Sequence, residues 1–312
     1  MKLSTPRNIS FYLLPLLAMF FIFAAGIPAQ AAPAAKAQKS FATAEEAASA
    51  LAVAIKGGNT REISTILGPG SDKIISSGDP VADRSERERF VKLYDEKNTL
   101  EGADTGKAVL SVGNEDFPFP IPVVKKGNVW RFDTKAGKEE LLNRRIGRNE
   151  LEVINIMHTY VDAQREYASR DRDSDAVLEF AQNIRSTSGK KDGLYWEAKE
   201  GEKESPLGPL AAKAAREGYA KENTALHGYY YRILKAQGKD AEGGAFDYLV
   251  NGKMILGFAM VAYPAQYGSS GVMTFIVNQN GIVYQKNLGK NSTKIATSMK
   301  LFNPDKTWKK AE

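Results

Sequence analysis

"YPAQYGSSGVMTFIVNQNGIVYQKNLG", Tyr263 to Gly289, reads as a loop followed by two strands joined by a tight turn. Val272, Thr274 and Ile276 alternate with Met273, Phe275 and Val277. Both faces of the first strand are therefore largely apolar, and both call for cover. Asn280-Gly281 suits the two central positions of a type I′ hairpin turn, each of which needs positive φ. "GSSG", 268–271, is turn material and lacks the spacing of a nucleophile elbow. The stretch contains no catalytic constellation, so it reads as scaffold, and the question is what it supports.

Upstream, "GYYYRILKAQ" and "KMILGFAMVAYP" supply further strands. Before them Val153, Ile156, Met157, Tyr160, Gln164 and Tyr167 recur at helical spacing and form one stripe, which is core far more often than binding surface. Asn149 suits the N-cap of that helix, with Glu152 at the reciprocal position. A shorter helix, 138–146, precedes it and is broken by Gly147. The expected division is an N-terminal domain, 41–146, and a C-terminal domain, 147–312. "STSGKKDGLYWEAKEGEKESPLGP", 186–209, is turn-rich and charged around the apolar knot "DGLYW", and a short helix, 210–217, follows.

The N-terminal domain opens with "TAEEAASALAVAIKGGNT", 43–60. Thr43 and Glu46 form a capping box, Ala47, Leu51, Ala54 and Ile55 share a face, and Gly57-Gly58 ends the helix. A second helix, 61–67, is closed by "GPG", and a third lies within "DPVADRSERERFVKLYDEKN" with Phe90, Leu93 and Tyr94 inward. "GKAVLSVG" is a strand, and "IPVVKKGNVWRFD" is a hairpin turning at Gly127-Asn128. "FPFPIP", 117–122, cannot donate a regular ladder and reads as an edge or a crossing loop. Helices and antiparallel hairpins in this order place the chain in the α+β class.

The element order of 41–146 loosely resembles the cone-shaped NTF2-like folds, which often enclose a pocket. The long helix ending "DAQREYA", with "GYYYR" and "VAYPAQYGSSGVMTFIVNQNGIVY", resembles the soluble head of type IV pilins and type II secretion pseudopilins over residues 148–289. That resemblance implies one helix laid on an antiparallel meander. "RRIGRNELE" stands where a pilin carries its membrane half-helix, so polymerisation in the pilin manner is not expected. Across the whole chain, "SSGDPVADR", "WRFDT", "RRIGRNE", "GKKDGLYW", "SPLGPL", "VNGKM" and "GVMTFIVNQNG" resemble the secreted bacterial proteins of domain-of-unknown-function family 2950. The resemblance implies kinship and no activity.

The N-terminus bears on compartment. Lys2 and Arg7, an apolar run from Phe11 to Ile27 interrupted by Pro15 and Gly26, and Ala29-Gln30-Ala31 form the pattern of a secretory signal peptide, residues 1–31. Cleavage is expected between Ala31 and Ala32, ahead of a flexible leader, 32–40, leaving a periplasmic or secreted protein with no membrane span. Losing Lys2 and Arg7 takes the formal net charge from +6 to +4, mild and interspersed, which with export argues against nucleic acid. Zero cysteines exclude disulfides, thiol catalysis, thiolate metal sites and lipid attachment at cysteine.

Chemistry is sparse. Two histidines, His158 and His227, do not form a metal-binding spacing, and no phosphate loop or dinucleotide fingerprint occurs. No metal or cofactor is expected, and no catalytic residue is assigned. Two polar clusters stand out. Asp79, Asp83 and Arg84 lie in "SGDPVADRSERER", where the first reading is a turn, a helix cap and a solvated charged face. Lys190, Lys191, Asp192, Tyr195 and Trp196 lie in a loop that is either pinned by an aromatic plug or used for a ligand or partner. The expected function is a non-enzymatic, exported cell-envelope module that binds a protein partner or small ligand through its pilin-like head or the cleft between domains. The alternative is a small-molecule binder or hydrolase with a pocket in the N-terminal domain or between the domains, using Asp79, Asp83 or Asp116.

Overall fold

The computed structural model describes residues 37–219 and 224–311. The signal peptide, the Ala31–Ala32 cleavage pair and the first part of the leader lie outside the described residues. Where the leader becomes visible it is pinned, not free. The Gln38 side-chain amide donates to the carbonyls of Leu67 and Phe132 at 2.9 and 2.7 Å, tying the chain to a helix end and a strand.

Local rules explain the first helices. The Thr43 hydroxyl accepts the amide of Glu46 at 3.1 Å, and the Glu46 carboxylate accepts the amide of Ala42 at 2.8 Å, closing the capping box of α1 (Ala44–Lys56). Asn59 caps α2 (Thr60–Leu67). A single turn, α3 (Asp72–Ile75), precedes α4 (Pro80–Glu96), which starts with proline at its first position. An antiparallel sheet follows: β1 (Asn98–Glu101), β2 (Lys107–Val112), β3 (Phe117–Pro118), β4 (Val123–Lys126) and β5 (Val129–Phe132). Its order is β1-β2-β4-β5, with β3 on β2. The prolines of "FPFPIP" limit β3 to two residues and turn the chain across the sheet. Leu51, Ile66, Ala108, Ile121, Val123 and Phe132 form the centre of this core.

α5 (Thr134–Ala168) is one uninterrupted helix of 35 residues, about 52 Å long, capped by Asp133. The expected break at Gly147 does not occur, and Asn149 does not cap. A glycine in a helix interior costs only about 1 kcal/mol, which tertiary contacts on both sides outweigh. Asn149 is buried, and its amide donates to the Ser270 carbonyl at 2.9 Å. The helix thus runs straight through the expected domain boundary at 146/147, and two main apolar cores, with a small third cluster of Ala48, Leu110 and Val112, lie within one compact unit, Lys36–Glu312.

The C-terminal half contains β6 (Asn183–Arg185) and β7 (Gly193–Tyr195), a parallel pair, then α6 (Gly208–Glu217). The strands β8 (Tyr229–Leu234), β9 (Ala236–Gln237), β10 (Phe246–Asp247), β11 (Leu249–Val250), β12 (Lys253–Met254), β13 (Ala259–Pro264), β14 (Thr274–Asn278) and β15 (Tyr284–Lys286) follow. The chain closes with α7 (Ser292–Ser298), β16 (Leu301–Phe302) and β17 (Lys309–Lys310). The main sheet is antiparallel throughout, ordered β17-β15-β14-β13-β8. Every residue of β14 is buried, in keeping with a strand apolar on both faces. α5 packs along β14, and Tyr160 donates to the Ala259 carbonyl at 3.1 Å. α7 and β16 cover the other face with Ala296 and Phe302. The chain's own C-terminus supplies that cover, so neither the N-terminal half nor a second protein is needed there.

The hairpin after β14 differs from the expected type I′ turn. The Gly281 amide donates to the Asn278 carbonyl, Gly281 has φ 78°, and Asn280 is not among the positive-φ residues. This is a type I turn at Gln279-Asn280 followed by a left-handed glycine. The cause is Asn278, whose side-chain oxygen accepts the Asn280 amide at 3.2 Å and sets the turn one residue early.

The continuity of α5 has a stability consequence. Gly147 is exposed, and a Cβ there meets nothing within 4 Å. Gly147→Ala should raise the unfolding free energy by about 0.5–1 kcal/mol in urea titration, because alanine propagates a helix that glycine weakens. A loss of stability would contradict an unbroken α5.

Candidate functional site

The two cores meet at a polar seam built from the turn before α4, the middle of α5 and the loop before β14. Asp79 is fully buried there. One carboxylate oxygen caps α4 by accepting the amides of Val81 and Ala82 at 3.1 and 3.0 Å. The other accepts the Tyr219 hydroxyl at 2.9 Å and the Gly228 amide at 2.8 Å. Burial, and then the Asp79 charge, raise the Tyr219 hydroxyl well above the ordinary tyrosine range. Glu150 makes the matching contact from α5, accepting the amides of Val272 and Met273 at 2.8 and 2.9 Å. The buried Tyr229 ring packs so closely on the Gly271 backbone that a Cβ at Gly271 would lie 1.9 Å from the Tyr229 hydroxyl oxygen. Only glycine fits.

Arg145 completes the seam. Its guanidinium donates to the carbonyls of Lys73 and Ile74, at 2.7 and 2.5 Å, and approaches the Ser269 hydroxyl at 3.4 Å. The Ser269 hydroxyl donates to the same Lys73 carbonyl at 2.9 Å. Lys73 in turn donates to the carbonyls of Tyr267 and Gly268. The loop 265–271 therefore clasps α3 against α5. Burial lowers the Arg145 pKa below the usual arginine range, with the charges of Asp83 and Glu86 opposing.

What α3 does is form a wall. Ile74 and Ile75 face a cavity of about 410 Å³ inside the N-terminal half, within the ~300–1,000 Å³ range of small-molecule sites. Leu51, Ile63 and Leu67 from α1 and α2 line it, as do Phe119 and Pro120 where the chain crosses the sheet. α4 contributes Asp83, Glu86, Arg87 and Phe90, and α5 contributes Leu141, Arg144, Arg145 and Arg148, each set at the i, i+3, i+4, i+7 spacing that shares one helix face. Arg89 also lines it. The lining thus carries five guanidiniums and two carboxylates over an apolar interior. Arg148 pairs with Glu86 at 3.0 Å, and Arg144 with Glu140 at 2.7 Å. Asp83 accepts the Ser77 amide with both oxygens at 3.1 and 3.0 Å. Arg87 and Arg89 form no hydrogen bond or ion pair among the described residues.

A family model described as protein of unknown function, DUF2950, matches residues 38–311. The chain belongs to that family. No curated protein matches it, and no solved structure does. Three of the stretches that carry the DUF2950 resemblance, "SSGDPVADR", "RRIGRNE" and "GVMTFIVNQNG", converge on the seam.

Of the first sequence cluster, Asp79 belongs to the seam and Asp83 to the cavity wall, while Arg84 is exposed and outside the lining. Asp116 pairs with Lys97 at 2.7 Å and does not line the cavity. The second cluster lies about 25 Å away along α5, from Glu150 to Tyr167, so the two do not form one site. Its aromatics are stacked into a plug. Arg172 lies over the rings of Tyr167 and Trp196 at 4.6 and 5.2 Å, and Lys191 over Trp196 at 5.6 Å. Asp192 accepts the Thr187 amide and hydroxyl at 2.7 and 2.8 Å, Arg185 lies over Tyr195 at 4.8 Å, and Lys190 is exposed. Beside it, the carboxylates of Asp171, Asp173 and Asp175 approach one another within 4.8 Å, and the Lys253 ammonium pairs with Asp173, Asp175 and Glu179. His158 is exposed on α5, and His227 pairs with Glu217 at 3.3 Å.

Sequence reasoning missed Arg145, Arg87 and Arg89. The available signal was the three-residue spacing of Arg87 to Phe90 in "SERERF" and the four-residue spacing of Leu141 to Arg145 in "LLNRRIGR"; Arg89, adjacent to Phe90, carried no such signal.

The seam separates structural from surface arginines. Arg145→Met keeps the stem but leaves the Ile74 carbonyl without its donor and the Lys73 carbonyl with only the Ser269 hydroxyl, and should cost about 1–3 kcal/mol in urea unfolding. Arg144→Met, which removes only an exposed pair with Glu140, should cost less than about 0.5 kcal/mol. Equal effects would contradict the clasp.

Proposed function

We propose that the protein is an exported, non-enzymatic binding module of the cell envelope whose ligand seat is the cavity between α4, α5 and the N-terminal sheet. One observation carries this reading. The cavity combines an apolar interior with a one-sided charged lining, the composition of a small-molecule site. Its lining offers no nucleophile–base pair among the described residues, since Asp83 is engaged by the Ser77 amide and Glu86 by Arg148. That favours holding a ligand over transforming it.

In this reading the C-terminal half is the pilin-like head, with the second part of α5 laid on the β8–β15 meander, and it serves as a rigid frame. Both faces of that meander are covered by the chain itself, which argues for the cavity as the binding element. Export rests on the signal-peptide pattern of residues 1–31. No helix among the described residues is long and apolar enough to cross a membrane.

Native mass spectrometry of the protein from the periplasmic fraction tests both parts. The chain should begin at Ala32 and carry a bound small molecule, and Leu141→Trp, which fills the cavity, should abolish that adduct while leaving the circular dichroism unchanged. A membrane-bound chain retaining Met1 would refute export. An adduct that survives Leu141→Trp would place binding elsewhere.

A further inference from the structure

The cavity lining is chemically divided. Leu51, Ile63, Leu67, Ile75, Phe119 and Leu141 present only hydrocarbon, and no residue of the lining other than Asp83, Glu86 and the five arginines carries a charge. Five guanidiniums against two carboxylates leave a surplus of three positive charges on one side of a hydrophobic chamber. The surplus is not absorbed internally. Arg144 and Arg148 have carboxylate partners and Arg145 is spent on backbone carbonyls, but among the described residues Arg87 and Arg89 have none. Arg89, Arg144, Arg148 and Glu86 are the exposed lining residues from the two helices, so the charge lies on the open side and the hydrocarbon behind it. Guanidinium offers planar paired donors that match carboxylate and phosphate oxygens. Phe117, which is 42% exposed, adds an apolar surface to the lining.

We propose that the cavity takes a single-chain amphiphile with an anionic head, the tail lying among Leu51, Leu67, Phe119 and Leu141 and the head held by Arg87 and Arg89. This rests on the cavity being the binding seat and adds the ligand's chemical class. The tail supplies the affinity through burial of methylenes. The two unpaired arginines supply selectivity for a carboxylate or phosphate over a neutral head, because a charge-assisted bond is about twice as strong as a neutral one.

Isothermal titration calorimetry on the mature chain, with decanoate, decyl phosphate, decanol and acetate as probes, tests the proposal. Decanoate and decyl phosphate should bind at least about tenfold more tightly than decanol, and acetate should not bind detectably. Octanoate should bind about tenfold or more weakly than decanoate, since each buried methylene is worth about fourfold. The double variant Arg87→Gln/Arg89→Gln should lose about 10–100-fold in affinity for the two anions and keep its affinity for decanol. Arg84→Gln, exposed on the same helix and outside the lining, should change nothing. Decanol binding as tightly as decanoate would overturn the anionic head while leaving the cavity as a binding seat. Failure of all four probes would overturn the amphiphile, and a bound adduct of another class in native mass spectrometry would keep the seat. The wild-type comparison of heads needs no variant, so a misfolded double mutant does not blunt the test.

Discussion

The guanidinium of Arg145 is the point on which the two halves of the chain depend. It is half-buried, a third of the way along a 35-residue helix whose first part belongs to one apolar core and whose second part belongs to the other. Even a half-buried guanidinium needs partners for its donors, and here the acceptors are the Lys73 and Ile74 carbonyls and, more distantly, the Ser269 hydroxyl. Those acceptors come from α3 and from the loop before β14, so satisfying one charge fixes three segments remote in sequence. Asp79 and Glu150 repeat the device with the sign reversed, each carboxylate gathering amides from across the seam.

The geometry gives the opening stretch of sequence its role. Loop 265–271 contributes nothing to the chemistry of the cavity, yet it holds the α3 turn whose Ile74 and Ile75 close one wall. β14, running on from that loop, is buried between α5 and the C-terminal α7 and β16, so the clasp is anchored in the best-covered strand of the sheet. A four-residue helix has almost no intrinsic stability, and α3 keeps its place through these contacts. The wall of the cavity therefore belongs, energetically, to the opposite half of the molecule.

The parts legible in the sequence are those set by short-range periodicity. The Val153–Tyr167 stripe, the Thr43–Glu46 box and the two-faced apolar β14 all follow from spacings of a few residues, and α+β is the class that results. Where a weak local preference met tertiary contact, the contact won. Gly147 continues the helix because Arg145 and Asn149 are held on either side of it, and Asn278 moves the hairpin turn one residue ahead of the Asn280-Gly281 signal. A pocket in the N-terminal half was suggested only by the loose NTF2-like resemblance, and of its lining only Asp83 was named, since that lining comes from the helices α1 to α5 and the sheet, and "SERERF" read alone is a solvated charged face. Asp79 showed its residue type and capping role, but not its burial at a seam 149 residues from Gly228.

Hydrogen–deuterium exchange of the mature chain with and without decanoate tests the central claim most directly. With ligand, α4 and the single-turn α3 should exchange more slowly. Loop 265–271 should also slow, because the Arg145 clasp ties it to the cavity wall, while the β8–β15 meander should be unchanged. Protection confined to the meander or to the 186–209 loop, with α3 and α4 unaffected, would contradict a ligand seat in the N-terminal cavity.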